Sequence, residues 1–113
     1  AAQALLRLGH YLESATDDEI CGEGRKYSQA GLTVLKTLLA EPYLSTNDSH
    51  QGLILHSIYH RPNGWDYTPP GSEVPCGESS MWGDYHALEA ALYVQRIHEN
   101  APYLRFFGPE AAQ

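Results

Sequence analysis

Cysteine and basic residues are both scarce in this chain of 113 residues. The two cysteines, Cys21 and Cys76, stand in no C-x-x-C or zinc-finger spacing, which excludes a disulfide scaffold and a cysteine-based zinc module. The spacing leaves open whether the two thiols are free or joined. The seven Lys and Arg residues are scattered among fourteen acidic residues, and the net charge is -7. Because phosphate binding needs clustered cations, we expect no nucleic-acid partner.

Long apolar runs are also missing. No run approaches the ~20 residues of a membrane-spanning helix, and the first residues lack the basic-then-apolar order of a secretory signal. We therefore expect no membrane partner, and the sequence leaves cytoplasmic, periplasmic and secreted localisation open. The residues that are present favour a folded chain, because 42% are hydrophobic and eight Tyr and two Trp raise the aromatic content to 11%.

Hydrophobic periodicity predicts a first helix that starts at the first residue. Leu5, Leu8 and Leu12 form one apolar stripe, and the polar run at residues 14–18 ends the pattern. No capping residue precedes this helix, so we expect the natural chain to begin earlier.

A second helix is predicted at about residues 24–39, where apolar side chains recur at three- and four-residue steps before Pro42. Ala30 and Gly31 lie in its middle. Because a glycine inside a helix costs roughly 1 kcal/mol relative to alanine, we expect another backbone to approach closely at this point.

The central part of the chain has few signals for regular structure. Residues 45–50 are polar and indicate a loop, and the apolar run at residues 52–59 (GLILHSIY) favours an extended segment. Residues 61–77 contain a high density of Pro and Gly, which excludes regular structure across them. This predicts a long loop that carries Trp65 and Tyr67, and long aromatic loops are often functional.

The third helix is predicted at about residues 80–99. Ser79 or Ser80 can cap its start, and Asp84 in the first turn complements the positive helix end. Each of the three helices is apolar on a broad face, so we expect partner helices outside this chain to cover them. Residues 102–107 are apolar enough to dock back, and residues 108–113 should fray.

Two separated segments together resemble a known enzyme family. Residues 52–64 read GLILHSIYHRPNG, and residues 78–92 read ESSMWGDYHALEAAL. This order, with His-x-Pro-x-Gly, a loop and a Ser-x-x-Trp-Gly-Asp-Tyr helix start, is similar to the last part of the unsaturated glucuronyl hydrolases, glycoside hydrolase family 88. The resemblance covers roughly residues 50–97.

The resemblance implies an all-α fold in which residues 1–113 are the carboxy-terminal part of a single catalytic domain. They would supply the closing helices of a six-hairpin α/α barrel and a long aromatic loop. The implied reaction hydrates the 4,5 double bond of an unsaturated uronic acid at the non-reducing end of a glycuronan oligosaccharide, and the hemiketal then collapses and releases the neighbouring sugar. None of the acids in this chain matches the family's two catalytic aspartates, so we predict no catalytic residue here.

The same resemblance points to a set of substrate-binding residues. The set is Tyr59, His60, Arg61, Ser79, Ser80, Trp82, Asp84 and Tyr85.

Most of these residues also have a structural explanation. The polar tips of Tyr59 and His60 could bind sugar hydroxyls or plug the end of the barrel. Arg61 could pair with a uronate carboxylate or lie on the surface. Trp82 offers an apolar plane to a sugar ring or to the core. Asp84 could orient a neighbouring group or compensate the helix dipole.

Ser79 and Ser80 are explained by helix capping worth ~1 kcal/mol, although a capping hydroxyl can also face a ligand. The histidines define no metal triad, since neither His56 with His60 nor Asp84 with His86 has a third ligand in a suitable spacing. We therefore predict neither a metal nor a cofactor. The expected partners are an oligosaccharide and the rest of the same barrel, or a second copy of the chain. The alternative function is a non-catalytic helical assembly or glycan-binding module derived from the same fold.

Overall fold

The computed structural model describes residues 1–102. Within this range the chain forms three α-helices, α1 (Ala2–Glu13), α2 (Asp18–Leu38) and α3 (Met81–His98), together with a short 3-10 helix at Arg61–Asn63 and no strand. The all-α prediction is confirmed for this part of the chain. Two predictions, that residues 102–107 dock back and that residues 108–113 fray, concern residues from position 103 onward. Those residues lie outside the described part of the chain.

The start of α2 differs from the predicted one. This helix begins at Asp18, six residues before the predicted residue 24, so that boundary was wrong. The reason is the carboxylate of Asp17, whose Oδ1 accepts the backbone N–H groups of Glu19 at 2.9 Å and Ile20 at 3.1 Å. The polar run that ends α1 therefore also contains the N-cap of α2. At the start of α1, Ala1 provides no side-chain cap, as the sequence indicated.

Helices α1 and α2 form an antiparallel hairpin that is packed through glycines. A Cβ atom added to Gly31 would lie 2.8 Å from Leu6 Cγ and 3.1 Å from the Ala2 carbonyl oxygen. A Cβ atom on Gly24 would lie 2.7 Å from Glu13 N and 2.9 Å from the carbonyl oxygen of Gly9. The close approach predicted at Gly31 is confirmed, because a Cβ atom there would also lie only 3.0 Å from the backbone N of Leu6.

Helix α3 packs against the open end of this hairpin and completes a small core. The core consists of five buried residues, with Val94 and Ile97 packed at its edge. These five residues are Ala2, Leu6, Leu35, Ala90 and Tyr93. Many large hydrophobic side chains of the described residues remain exposed, so this core covers only part of their apolar surface.

The end of α3 is a Schellman motif. Asn100 adopts a left-handed conformation with φ of 51°, and its N–H donates to the carbonyl of Ile97 at 3.1 Å. The N–H of Ala101 donates to the carbonyl of Arg96 at 2.9 Å. Pro102 follows and cannot continue the helix.

The segment between α2 and α3 is irregular but locally paired. Residues 43–45 lie beside residues 53–55 around one isolated antiparallel bridge between Leu44 and Ile54. The Leu55 N–H donates to the Tyr43 carbonyl at 2.7 Å, and the Ser45 N–H donates to the Leu53 carbonyl at 2.8 Å. The predicted extended segment is thus paired only at its first half, and residues 61–77 contain no regular structure beyond the single 3-10 turn.

Candidate functional site

Two carboxylates hold the segment from residue 53 to residue 60 in place. Asp84, in the first turn of α3, accepts the N–H of Leu53 on Oδ2 at 2.9 Å and the N–H of Ile54 on Oδ1 at 2.8 Å. At the other end, Asp66 accepts the N–H groups of Tyr59 on Oδ1 and His60 on Oδ2, the latter at 2.8 Å. Both oxygens of each carboxylate are therefore used in the internal structure of this region.

Four aromatic rings gather where this segment meets the long loop and the start of α3, and we name them the aromatic platform: Tyr59, His60, Trp65 and Trp82. The Tyr59 ring centroid lies 5.5 Å from that of Trp65 and 5.0 Å from that of Trp82. The His60 ring lies 5.1 Å from Trp65. Three of the rings are about half exposed or more, at 57% for Tyr59, 61% for Trp65 and 48% for Trp82. The platform therefore offers exposed apolar surface to a ligand.

The histidines around the platform accept backbone hydrogen bonds. His60 caps the 3-10 helix, since its Nδ1 lies 3.3 Å from the N–H of Asn63. The Nδ1 of His56 accepts the N–H of Gly77 at 3.1 Å and so closes the base of the long loop. The backbone of His56 is in the left-handed region, with a φ of 65°. An imidazole whose Nδ1 accepts carries its proton on Nε2, so each ring can donate to a ligand from Nε2.

A second surface, which we name the polar cleft, lies between the loop at residues 49–52 and the start of α3. Its volume is about 760 Å³. Ser80 caps α3 by accepting the N–H of Gly83 at 3.2 Å, which confirms the capping prediction. Ser79 packs directly on Gly52, where any Cβ atom would overlap its side chain. His50 Nε2 lies 3.8 Å from a carboxylate oxygen of Glu78. Serine, imidazole and carboxylate side chains thus line the cleft together with the apolar Met81 and Leu88.

The predicted substrate-binding residues divide between these two surfaces. Tyr59, His60 and Trp82 belong to the aromatic platform. Four others line the polar cleft: Ser79, Ser80, Asp84 and Tyr85. Arg61 lies in the 3-10 helix, is exposed and lines neither surface. Their role in binding stays a prediction, and the dipole explanation of Asp84 is incomplete because its carboxylate also binds the backbone of a distant segment.

Two residues important for this geometry are absent from the predicted set. Trp65 was expected only as an aromatic residue of the loop, and Asp66 was not expected to act at all. The tripeptide Gly64-Trp65-Asp66 directly follows the His-Arg-Pro-Asn segment. An acidic residue beside an exposed Trp in a loop rich in Pro and Gly was the signal available, since Asp in loops commonly binds nearby backbone N–H groups.

A third cavity, of about 350 Å³, lies between α1 and α3 and is lined by ionisable groups. The Arg7 guanidinium lies 4.8 Å above the Tyr93 ring and 3.7 Å from a carboxylate oxygen of Glu89. The neighbouring Gln3 side chain, followed by His86 and the charge of Arg7, holds the pKa of Glu89 below its usual value. Burial raises the pKa of the Tyr93 phenol, and Arg7 opposes this. These contacts fasten α3 to α1.

Among residues 1–102, both cysteines are free thiols, and no group of three or more His, Cys, Asp or Glu side chains could hold a metal ion. In that same range none of the helices has the length and apolar character needed to cross a bilayer. Comparison with protein-family models, curated proteins and solved structures gave no match to this chain.

Proposed function

We propose that this chain supplies the closing helices and part of the substrate wall of a helical-barrel glycoside hydrolase. Its substrate would be a short glycuronan oligosaccharide with a 4,5-unsaturated uronic acid at the non-reducing end. The observation that carries the proposal is the contact between Tyr59 and Trp82, whose ring centroids are 5.0 Å apart. One residue comes from each of the two segments that resemble the unsaturated glucuronyl hydrolases, so both segments contribute to one exposed surface.

The platform has the chemistry that a sugar ring requires. The exposed faces of Trp65 and Trp82 can pack on the apolar C–H face of a pyranose ring. The Tyr59 hydroxyl and the His60 Nε2–H are polar groups at the edge of the same surface, and such groups fix a ligand's orientation by hydrogen bonding. Arg61, which follows directly in the chain, is exposed, and a guanidinium is suited to bidentate pairing with a carboxylate such as that of a uronate.

The proposal of a barrel is supported by the apolar side chains that the described residues leave exposed. Leu8, Ile20 and Leu32 on the hairpin are 44%, 44% and 47% exposed, and Leu88 and Leu92 on α3 are 58% and 46% exposed. Further helices of a barrel would cover such faces and would supply the catalytic acids that this chain lacks.

The proposal is tested at two levels. Binding of a 4,5-unsaturated glucuronyl disaccharide to the chain should quench or shift tryptophan fluorescence, and Trp65→Ala and Trp82→Ala should each weaken binding. Trp82 lies at the start of α3, so far-UV circular dichroism must show that helix content is unchanged. The longer protein that contains this chain should remove the enoate absorbance of the same disaccharide. If that absorbance persists at every pH, the enzymatic proposal is wrong.

The second candidate is a non-catalytic helical assembly module, which the uncovered apolar faces favour. In that case the chain should associate with itself through these faces, and its mass in solution should exceed that of one copy at micromolar concentration. An exposed residue such as Leu8, 44% exposed on α1, provides the test. If Leu8→Glu leaves the mass of an associated form unchanged, that helix face is not the contact.

A further inference from the structure

We propose that Asp66 is the positioning residue of the aromatic platform. The effect of this role on sugar binding rests on the proposed function. Asp66 is half-buried, lies next to Trp65 in the chain, and accepts the backbone N–H groups of Tyr59 and His60, one on each oxygen. It therefore ties the last two residues of the segment 53–60 to the loop that carries Trp65.

The geometry explains why this tie controls the platform. Tyr59 is the ring that contacts both tryptophans, at 5.5 Å from Trp65 and 5.0 Å from Trp82. Its backbone is bound to Asp66, the residue after Trp65, so rotation of the segment at residues 59–60 would move Tyr59 away from both rings. Hydrogen bonds from an N–H group to an ionised carboxylate are among the stronger ones in proteins. Asp66 thus holds the rings together before any ligand arrives, which reduces the entropy cost of binding.

Asn at this position tests the role with little change in volume. Asp66→Asn keeps one carbonyl oxygen as an acceptor and replaces the other with an NH2 group, which cannot accept from a backbone N–H. One of the two N–H groups of Tyr59 and His60 then loses its partner. Asp66→Ala removes both acceptors. The rings of the platform should be held most firmly in the wild type, less firmly in Asp66→Asn and least firmly in Asp66→Ala.

The matched control is Asp17→Ala on the helical hairpin. The Asp17 carboxylate also accepts two backbone N–H groups, those of Glu19 and Ile20, and it lies outside both the platform and the polar cleft. Asp17→Ala should lower the free energy of unfolding about as much as Asp66→Ala does, because α2 loses its cap. Near-UV circular dichroism, which reports the mutual orientation of the aromatic rings, and the Kd for the unsaturated disaccharide are measured for all four proteins.

We expect the near-UV signal to fall in both Asp66 variants while far-UV helix content is unchanged. We expect the Kd to rise about tenfold in Asp66→Ala and less in Asp66→Asn, as loss of charge-assisted hydrogen bonds predicts. Asp17→Ala should keep the wild-type near-UV signal and Kd. A wild-type near-UV signal in Asp66→Ala would overturn the positioning role, as would an equal change in Asp17→Ala. If the wild-type chain binds no disaccharide, the proposed function fails, and the near-UV signal alone decides the role of Asp66.

Discussion

The glycine packing of the helical hairpin predicts opposite effects from two neighbouring substitutions in α2. A Cβ atom at Gly24 would lie 2.7 Å from Glu13 N, 2.9 Å from Gly9 O and 3.0 Å from Leu12 C, all of which are backbone atoms. A Cβ atom at Gly22 would meet nothing within 4 Å. Both positions lie inside the same helix, so alanine brings the same gain in helix propensity, about 1 kcal/mol, at each.

The difference between them is the steric cost. Because backbone atoms cannot move aside as a flexible side chain can, Gly24→Ala should incur an overpacking cost of about 3 kcal/mol, at the upper end of the usual range. After the gain in helix propensity is subtracted, Gly24→Ala should lower the free energy of unfolding by about 2 kcal/mol. Gly22→Ala should stabilise the chain by about 1 kcal/mol.

The assay is urea unfolding followed by far-UV circular dichroism, with the midpoints compared at an unchanged m-value. Each kcal/mol should also shift Tm by about 4–8 °C in opposite directions for the two variants. Midpoints that move in the same direction would show that the two helices do not approach each other as the structure indicates. In that case the small residues of α2 would need another explanation.

Three further outcomes are expected. Asp84→Ala should lower the free energy of unfolding by about 2 kcal/mol, because the N–H groups of Leu53 and Ile54 lose a charged acceptor; urea unfolding measures it. Asn100→Ala should cost about 1 kcal/mol at a φ of 51°, and thermal unfolding of Asn100→Gly should show no loss. The pKa of Glu89 is lowered from its usual 4.5. The contribution of Glu89 to the free energy of unfolding is therefore present above that pH and is lost as pH falls through the lower pKa of the folded state. Unfolding midpoints measured across this range should show the loss, and Glu89→Gln should remove that part of the pH dependence.

The sequence predicted the helical elements better than their contacts. The period of Leu5, Leu8 and Leu12 placed α1 correctly, and the cost of Gly31 inside a helix correctly indicated a close approach. These features depend on interactions within one element or on a single steric requirement, so local patterns report them. Ser80 as the cap of α3 follows from the same kind of local rule.

Features in which one residue serves two elements, or binds a distant segment, were missed or incomplete. The start of α2 was placed too late because the polar run containing Asp17 has two functions, ending one helix and capping the next. Asp84 was expected to act on its own helix, yet its carboxylate binds backbone groups 30 and 31 residues away. Asp66 gave no periodic signal, since its partners lie in an irregular segment. Side-chain to backbone hydrogen bonds of this kind have no repeating pattern that a single sequence can reveal.

The way this irregular segment is held explains why two sequence motifs form one surface. Residues 53–60 make only one isolated bridge with a neighbouring segment, so most of their backbone N–H groups need other acceptors. Asp66 and Asp84 accept four of these groups, at the two ends of the segment. In this way carboxylates replace the partner strand that a sheet would provide. The platform, which joins Tyr59 to Trp82, therefore depends on two carboxylate side chains, Asp66 just after the first motif and Asp84 inside the second. Neutral substitutions at both should separate the rings while the helices remain.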